Sequence, residues 1–143
     1  MKWVTSRDVR VEGVACPWLI TRFIDDDAEF GFVPPDEVLT VAAREQGLAF
    51  GVQGAPYAAA DGRSTFDALI AQHGIVAPGL DALAAIIRAA SGLQTDGTPP
   101  EAAGLRAIAE GFALATESDI EREQYQWPLY DALLAWCAMR DER

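Results

Sequence analysis

The stretch ACPWLITRFIDDDAEFGFV, Ala15 to Val33, decides how the fold is read, because its periodicity changes halfway along. In the first half Cys16, Ile20 and Phe23 recur at i, i+4 and i+7, one face of a helix, and Pro17 suits a first helical turn. That places Cys16 on the buried side. The second half, AEFGFV from Ala28 to Val33, is rich in aromatic and β-branched residues and reads as a strand. A helix that hands over to a strand through an acidic turn indicates an α+β protein.

Working outward, KWVT (Lys2 to Thr5) reads as a second short strand, so a small β-sheet is expected near the N-terminus. The remainder reads as helix. A second helix is expected from about Asp36, carrying Val38, Val41 and Ala42 inward and ending before Gly47. Loop follows to about Arg63. Ser64-Thr65-Phe66-Asp67 matches a capping box, in which hydroxyl and carboxylate satisfy open N–H groups at a helix start, and Gly74 ends the helix. Leu80, Leu83, Ala84 and Ile87 give the next apolar face, and Leu105, Ile108, Ala109 and Phe112 repeat the spacing after Thr98-Pro99-Pro100. A last helical region runs from about Ser118 to Arg140, with a kink or break expected at Trp127-Pro128 and a core stripe of Leu129, Leu133 and Trp136. Gly92 to Pro100 reads as a long exposed loop.

Residues 1–143 read as a single, mostly helical domain, because half of the 143 residues are apolar, enough for a core without staples. Cys16 and Cys137 lie among apolar neighbours, so no disulfide framework is expected. No apolar stretch approaches the roughly 18 residues of a membrane span. The N-terminal MKWVTSRDVRVEG lacks the apolar segment of a signal peptide, so a cytoplasmic location is expected. The net charge of −11, with Lys2 the single lysine, argues against autonomous nucleic-acid binding, which needs a clustered basic surface.

The residues that carry chemistry are few. Asp25, Asp27 and Glu29 alternate as calcium ligands do, yet the EF-hand pattern fails at Phe30, where glycine is needed, and at Asp36, where glutamate is. A solvated turn is favoured, with Arg22 the expected partner of Asp25. His73, the one histidine, sits just before Gly74, where a helix C-terminus favours its charge. One histidine and two cysteines about 120 residues apart do not make a zinc site. No phosphate loop, nucleophile elbow or zinc-protease helix occurs.

Taken together, KWVT, VACPWLITRFID, AEFGFVP, TFDALIAQHG and LYDALLAWC closely resemble the chromate-resistance family, the C-terminal domain of ChrB-type regulators. The resemblance covers nearly the whole chain, and ACPWLITRFID is its most specific piece. The longer family members carry an N-terminal regulatory region that this sequence does not show, so their DNA-linked role is not expected here. The family pattern also implies a metal-type site built from a Glu, a His and a Cys ahead of the Phe-Asp helix, an Asp after the Ile-Arg helix and a His ahead of the last helix. Here those positions hold Pro56, Ala60, Ser64, Ser91 and Tyr125. The resemblance therefore implies a degenerate site, with no metal ligand and no cofactor expected.

The scaffold and a polar set remain: Arg22, Asp25, Arg63, Asp67 and Arg88. If the first helix packs beside the capped one, three guanidinium groups suit a tetrahedral dianion such as chromate or sulfate. The plainer reading pairs Arg22 with Asp25 and Arg63 with Asp67 and leaves Arg88 on a solvated face. Three functions stay open. The leading one is a non-catalytic accessory or sensor-like module in metal or oxidative stress, with a small oxyanion or a protein as partner. The others are a metal-dependent redox or detoxifying enzyme, and a structural homo-oligomerisation module whose emptied site, at Ala58 to Ala60, has become apolar surface.

Overall fold

The computed structural model describes residues 1–93 and 97–141. Three parallel strands, β1 (Lys2–Ser6), β2 (Glu29–Val33) and β3 (Leu48–Ala49), form a sheet in the order β2-β1-β3. Val4 pairs with Gly31 on one side and Ala49 on the other. Helix α1 (Val11–Phe23) makes the crossover from β1 to β2, and α2 (Val38–Arg44), entered by a 3-10 turn at Pro35–Glu37, makes the one from β2 to β3. The first crossover runs from β1 to one edge of the sheet, and the second runs back past β1 to the other.

Alternation along β1 assigns the two faces. Trp3 joins the main core with α1, whereas Val4 packs with Val38, Val41, Ala42 and Ala49 beneath α2. Period two therefore sends adjacent residues into separate clusters. Four more helices complete the described fold: α3 (Thr65–His73), α4 (Leu80–Ala90), α5 (Glu101–Ala115) and α6 (Asp119–Asp141). The α+β class, the helical excess and the sheet near the N-terminus agree with the sequence reading.

The capping box at Ser64 is present, and Gly74 closes α3 in the left-handed conformation. All four residues of the α4 stripe, Leu80, Leu83, Ala84 and Ile87, are buried. On α5 the stripe is half right. Leu105 and Ala109 are buried, but Ile108 is 42% exposed.

Four expectations are corrected. Pro17 lies well inside α1, which starts at Val11, because the β1–α1 loop is anchored from α6 and lets the helix begin earlier. Residues 48 and 49, read as loop, form β3, a strand too short to show alternation. α6 runs through Pro128 without a break, since the tertiary contacts on both sides outweigh one missing N–H. Its buried stripe is Gln126, Tyr130 and Cys137, while Leu129 is 39% exposed. The proline did not reset the phase, so the inward face continues from the helix before it. The expected Gly92 to Pro100 loop is described except at 94–96, which lie outside the described residues.

Candidate functional site

In a parallel sheet, ligands favour the crevice at the carboxyl ends of strands where the connections diverge. Here that point lies beyond β1, whose neighbours β2 and β3 are reached by opposite crossovers. A cavity of about 170 Å³ opens there, lined among others by Ser6, Asp8, Glu12, Cys16, Gly51 and Thr65. Thr5 holds the strand ends together by donating its hydroxyl to the Phe50 carbonyl at 2.8 Å. Beyond Glu12 a second cavity of about 310 Å³ is bounded by Arg10, Ser91, Arg106 and Glu110. Glu12 borders both.

The chain's own groups occupy the anion-binding features of this crevice. At the start of α3, Asp67 N–H donates to Ser64 Oγ at 2.9 Å, Ser64 N–H to Asp67 Oδ2 at 3.0 Å, and Phe66 N–H to Glu12 Oε1 at 3.1 Å. The β1–α1 loop shows the same pattern. Asp8 and Val9 donate their N–H groups to the two carboxylate oxygens of Asp119, at 3.1 and 2.9 Å, and the nearly buried Arg122 braces that carboxylate at 3.2 Å. A helix start and a turn with open N–H groups both attract anions. Each has been given an internal carboxylate.

Burial raises Glu12 above the usual carboxylate range, against the lowering effect of its hydrogen bonds. Burial pulls Asp67 in the same direction, but Arg88 and Ser64 outweigh it and hold that group low. Burial also pushes the Cys16 thiol well up, aided by Glu12 and Asp67, so Cys16 stays a neutral apolar neighbour.

The five residues expected to form a polar site do not converge. Asp67 and Arg88 meet in a two-pronged ion pair between α3 and α4, at 2.8 Å for both bonds. This replaces the expected Arg63–Asp67 pair and the solvated Arg88. Arg63 lies exposed in the loop, its backbone bonded to Ala60. Arg22 turns to α6 instead of Asp25, donating to Asp131 at 3.0 and 2.9 Å, and it also lies over the Trp127 ring. Asp25 accepts from Trp3 Nε1 at 3.0 Å and pairs with the Met1 amino group at 3.3 Å. The acidic run is thus a turn tied to β1.

Of the five positions implied to have lost metal ligands, Ser64 and Ser91 lie beside Glu12, with Ser64 Oγ committed to Asp67 N–H and Ser91 Oγ to the Ile87 carbonyl at 2.8 Å. Pro56 and Ala60 are exposed, and Tyr125 stacks on Phe112 on the outer side of α6. One carboxylate with two engaged hydroxyls is a poor donor set for a transition metal. Among the described residues no group of three His, Cys, Asp or Glu stands together.

Sequence reasoning missed Glu12, Asp119, Arg122, Glu123 and Asp131. Glu12 had a visible signal, an acid inside an otherwise apolar helix. Asp119 and Asp131 had none, because the groups they hold lie about 110 residues away in sequence, and Glu123 is set by burial; Arg122 had a weak one, Asp119 three residues before it.

No helix among the described residues is long and apolar enough to cross a membrane. A family model described as ChrB, C-terminal domain, matches residues 3–137. The protein ChrB of Cupriavidus metallidurans is 34% identical over 117 residues, a match covering 77% of this chain and 32% of that relative. The chain thus spans about a third of that curated relative's length. No solved structure matches. The chain belongs to the ChrB C-terminal domain family.

Proposed function

We propose that this member of the ChrB C-terminal domain family is a non-catalytic accessory or sensor-like module of the metal and oxidative stress response, working in the cytoplasm. The observation that supports this most directly is the start of α3. Its N–H groups, the place where the crevice would engage an oxyanion, are taken by Glu12, Ser64 and Asp67, and Arg88 is neutralised by Asp67. A site whose donors and charges are internally matched holds a scaffold together and has little left for a substrate. A protein partner therefore suits the domain better than a bound oxyanion, since Arg22, Arg63 and Arg88 do not meet.

Elemental analysis of protein purified without chelator tests the degenerate site, and well under one transition metal per chain is expected. About one bound manganese, iron or zinc, lost in Glu12→Gln or Asp67→Asn, would overturn the reading in favour of a metal-dependent enzyme. One observation speaks for that rival. Glu12 has a raised carboxyl group and borders both cavities, as general acids and bases do. Installing the family-type ligands by Pro56→Glu, Ala60→His, Ser91→Asp and Tyr125→His offers a converse test: with Pro56 and Ala60 exposed and Tyr125 against Phe112 on the outer side of α6, no gain of divalent-metal binding is expected, and a gain would overturn that placement.

A further inference from the structure

The cavity of about 310 Å³ lies where the start of α1, the end of α4 and the middle of α5 meet. That volume is at the lower end of small-ligand sites, about 300–1,000 Å³. Its lining carries charge of both signs, two guanidinium groups from Arg10 and Arg106 and two carboxylates from Glu12 and Glu110. These groups are unequally committed. Arg106 pairs with Glu110 at 3.2 Å, and Glu12 is anchored to α3 by the Phe66 N–H. Arg10 makes no ion pair among the described residues, although the chain has a net charge of −11. Its Nη1 donates to the Asp8 and Val9 carbonyls at 3.0 and 3.1 Å, which orients the guanidinium without cancelling its charge. Acceptors gather at Ser91, whose Oγ has given its proton to the Ile87 carbonyl at 2.8 Å and so can only accept. The helix ends reinforce this division, since α1 brings its N–H end to the cavity and α4 its carbonyl end.

We propose that this cavity binds a small zwitterion of the α-amino acid class, its carboxylate held by Arg10 and Arg106 and its ammonium by Ser91 and Glu110. Charge decides the class. A simple oxyanion would meet two carboxylates and leave the acceptor side unmatched, whereas a simple cation would leave Arg10 uncompensated. A ligand with both charges satisfies both sides, and the guanidinium fork suits a carboxylate in particular. The apolar part of the lining, Val11, Ala90 and Ala109, suits a short aliphatic side chain. Such a ligand gives the sensor-like module proposed above a signal, yet the site stands on the cavity itself, apart from the metal content.

Calorimetric titration of the full chain with glycine, L-alanine, L-valine and L-leucine, each beside its N-acetyl and its amide form, tests this. At least one free amino acid should bind with a Kd of about 1 mM or tighter, and its two blocked forms roughly tenfold more weakly or worse. Arg10→Ala and Glu110→Gln should each weaken binding by about tenfold with unchanged circular dichroism, since both side chains are exposed. Arg10→Lys should recover part of the loss. No binding of any of the four up to about 10 mM would overturn the proposal. An N-acetyl form that binds as tightly as its parent would do the same, because it shows a site for the carboxylate alone, as would binding insensitive to Arg10→Ala. None of these outcomes changes the transition-metal content, so this inference and the degenerate-site reading can fail separately.

Discussion

Arg88 grips Asp67 with two parallel bonds, Nε to one carboxylate oxygen and Nη2 to the other, both 2.8 Å long. The same carboxylate accepts the Ser64 N–H and so closes the capping box of α3. A single side chain thereby ties a helix start to α4.

Arg88→Ala should therefore destabilise the protein by about 2 kcal/mol, more than an exposed ion pair is worth, because Asp67 is only 12% exposed and would keep a half-compensated charge. Arg88→Lys should recover part of the loss, since an ammonium cannot reproduce the two-pronged geometry. Urea unfolding followed by circular dichroism measures both. A cost for Arg88→Ala below about 0.5 kcal/mol would show that the pair is merely superficial.

Glu123 makes stability depend on pH. It is 5% exposed, its Oε1 has no hydrogen-bond partner, and burial with Asp119 nearby pushes it from 4.5 to about 8. Between these values the folded protein keeps a proton that the unfolded chain releases, so stability should fall as pH rises from about 5 to 8. The slope approaches 1.4 kcal/mol per pH unit for one such group. Glu12, also raised, adds to it. Asp67 and Asp131, held low, act oppositely and cost stability only on acidification below the ordinary carboxylate range. Thermal unfolding should thus be most resistant near pH 5, and Glu123→Gln should flatten the decline towards pH 8. An unchanged pH profile in that variant would refute the assignment.

Asp119 braces the β1–α1 loop from the far end of the chain. Replacing it with alanine removes two hydrogen bonds to backbone N–H groups and deprives Arg122, 8% exposed, of its nearest carboxylate. A loss of about 3 kcal/mol is expected, with Asp119→Asn intermediate because the amide keeps one acceptor. Hydrogen exchange at Asp8 and Val9 should accelerate in both variants. If those amides stay protected, the loop holds itself.

At Gly79 two constraints coincide. Its φ of +79° suits glycine alone, and a Cβ there would lie 2.4 Å from the backbone nitrogen of Ala138 on α6. Gly79→Ala should destabilise by several kcal/mol, because neither neighbour is a flexible side chain that can retreat. Equal denaturation midpoints for variant and native protein would show that the α4–α6 crossing relaxes easily.

Local chemistry determined much of this protein. The period of VACPWLITRFID and the aromatic residues and valine of AEFGFV were enough for a helix and a strand, Ser64 with Asp67 for a helix start, and Gly74 for its end. Each depends on residues within one or two turns, where backbone geometry and side-chain reach are set by the sequence itself. The family resemblance likewise followed from short ordered motifs, and the family match bears it out.

Tertiary structure decided everything that joins distant segments. That Arg22 chooses Asp131 over Asp25, that Asp67 takes Arg88 and leaves Arg63 to the loop, and that α6 continues through Pro128 all depend on which helices lie side by side. The inward phase of α6 shows why. Its buried residues, Gln126, Tyr130 and Cys137, are one position off the most apolar stripe, because contacts with α1 and α4 fix the helix's rotation. Periodicity within a helix cannot register that constraint. Nor could Glu12 be placed in a crevice until β1, α1 and α3 met there, since an acid's role is set by the N–H groups that converge on it from other parts of the chain.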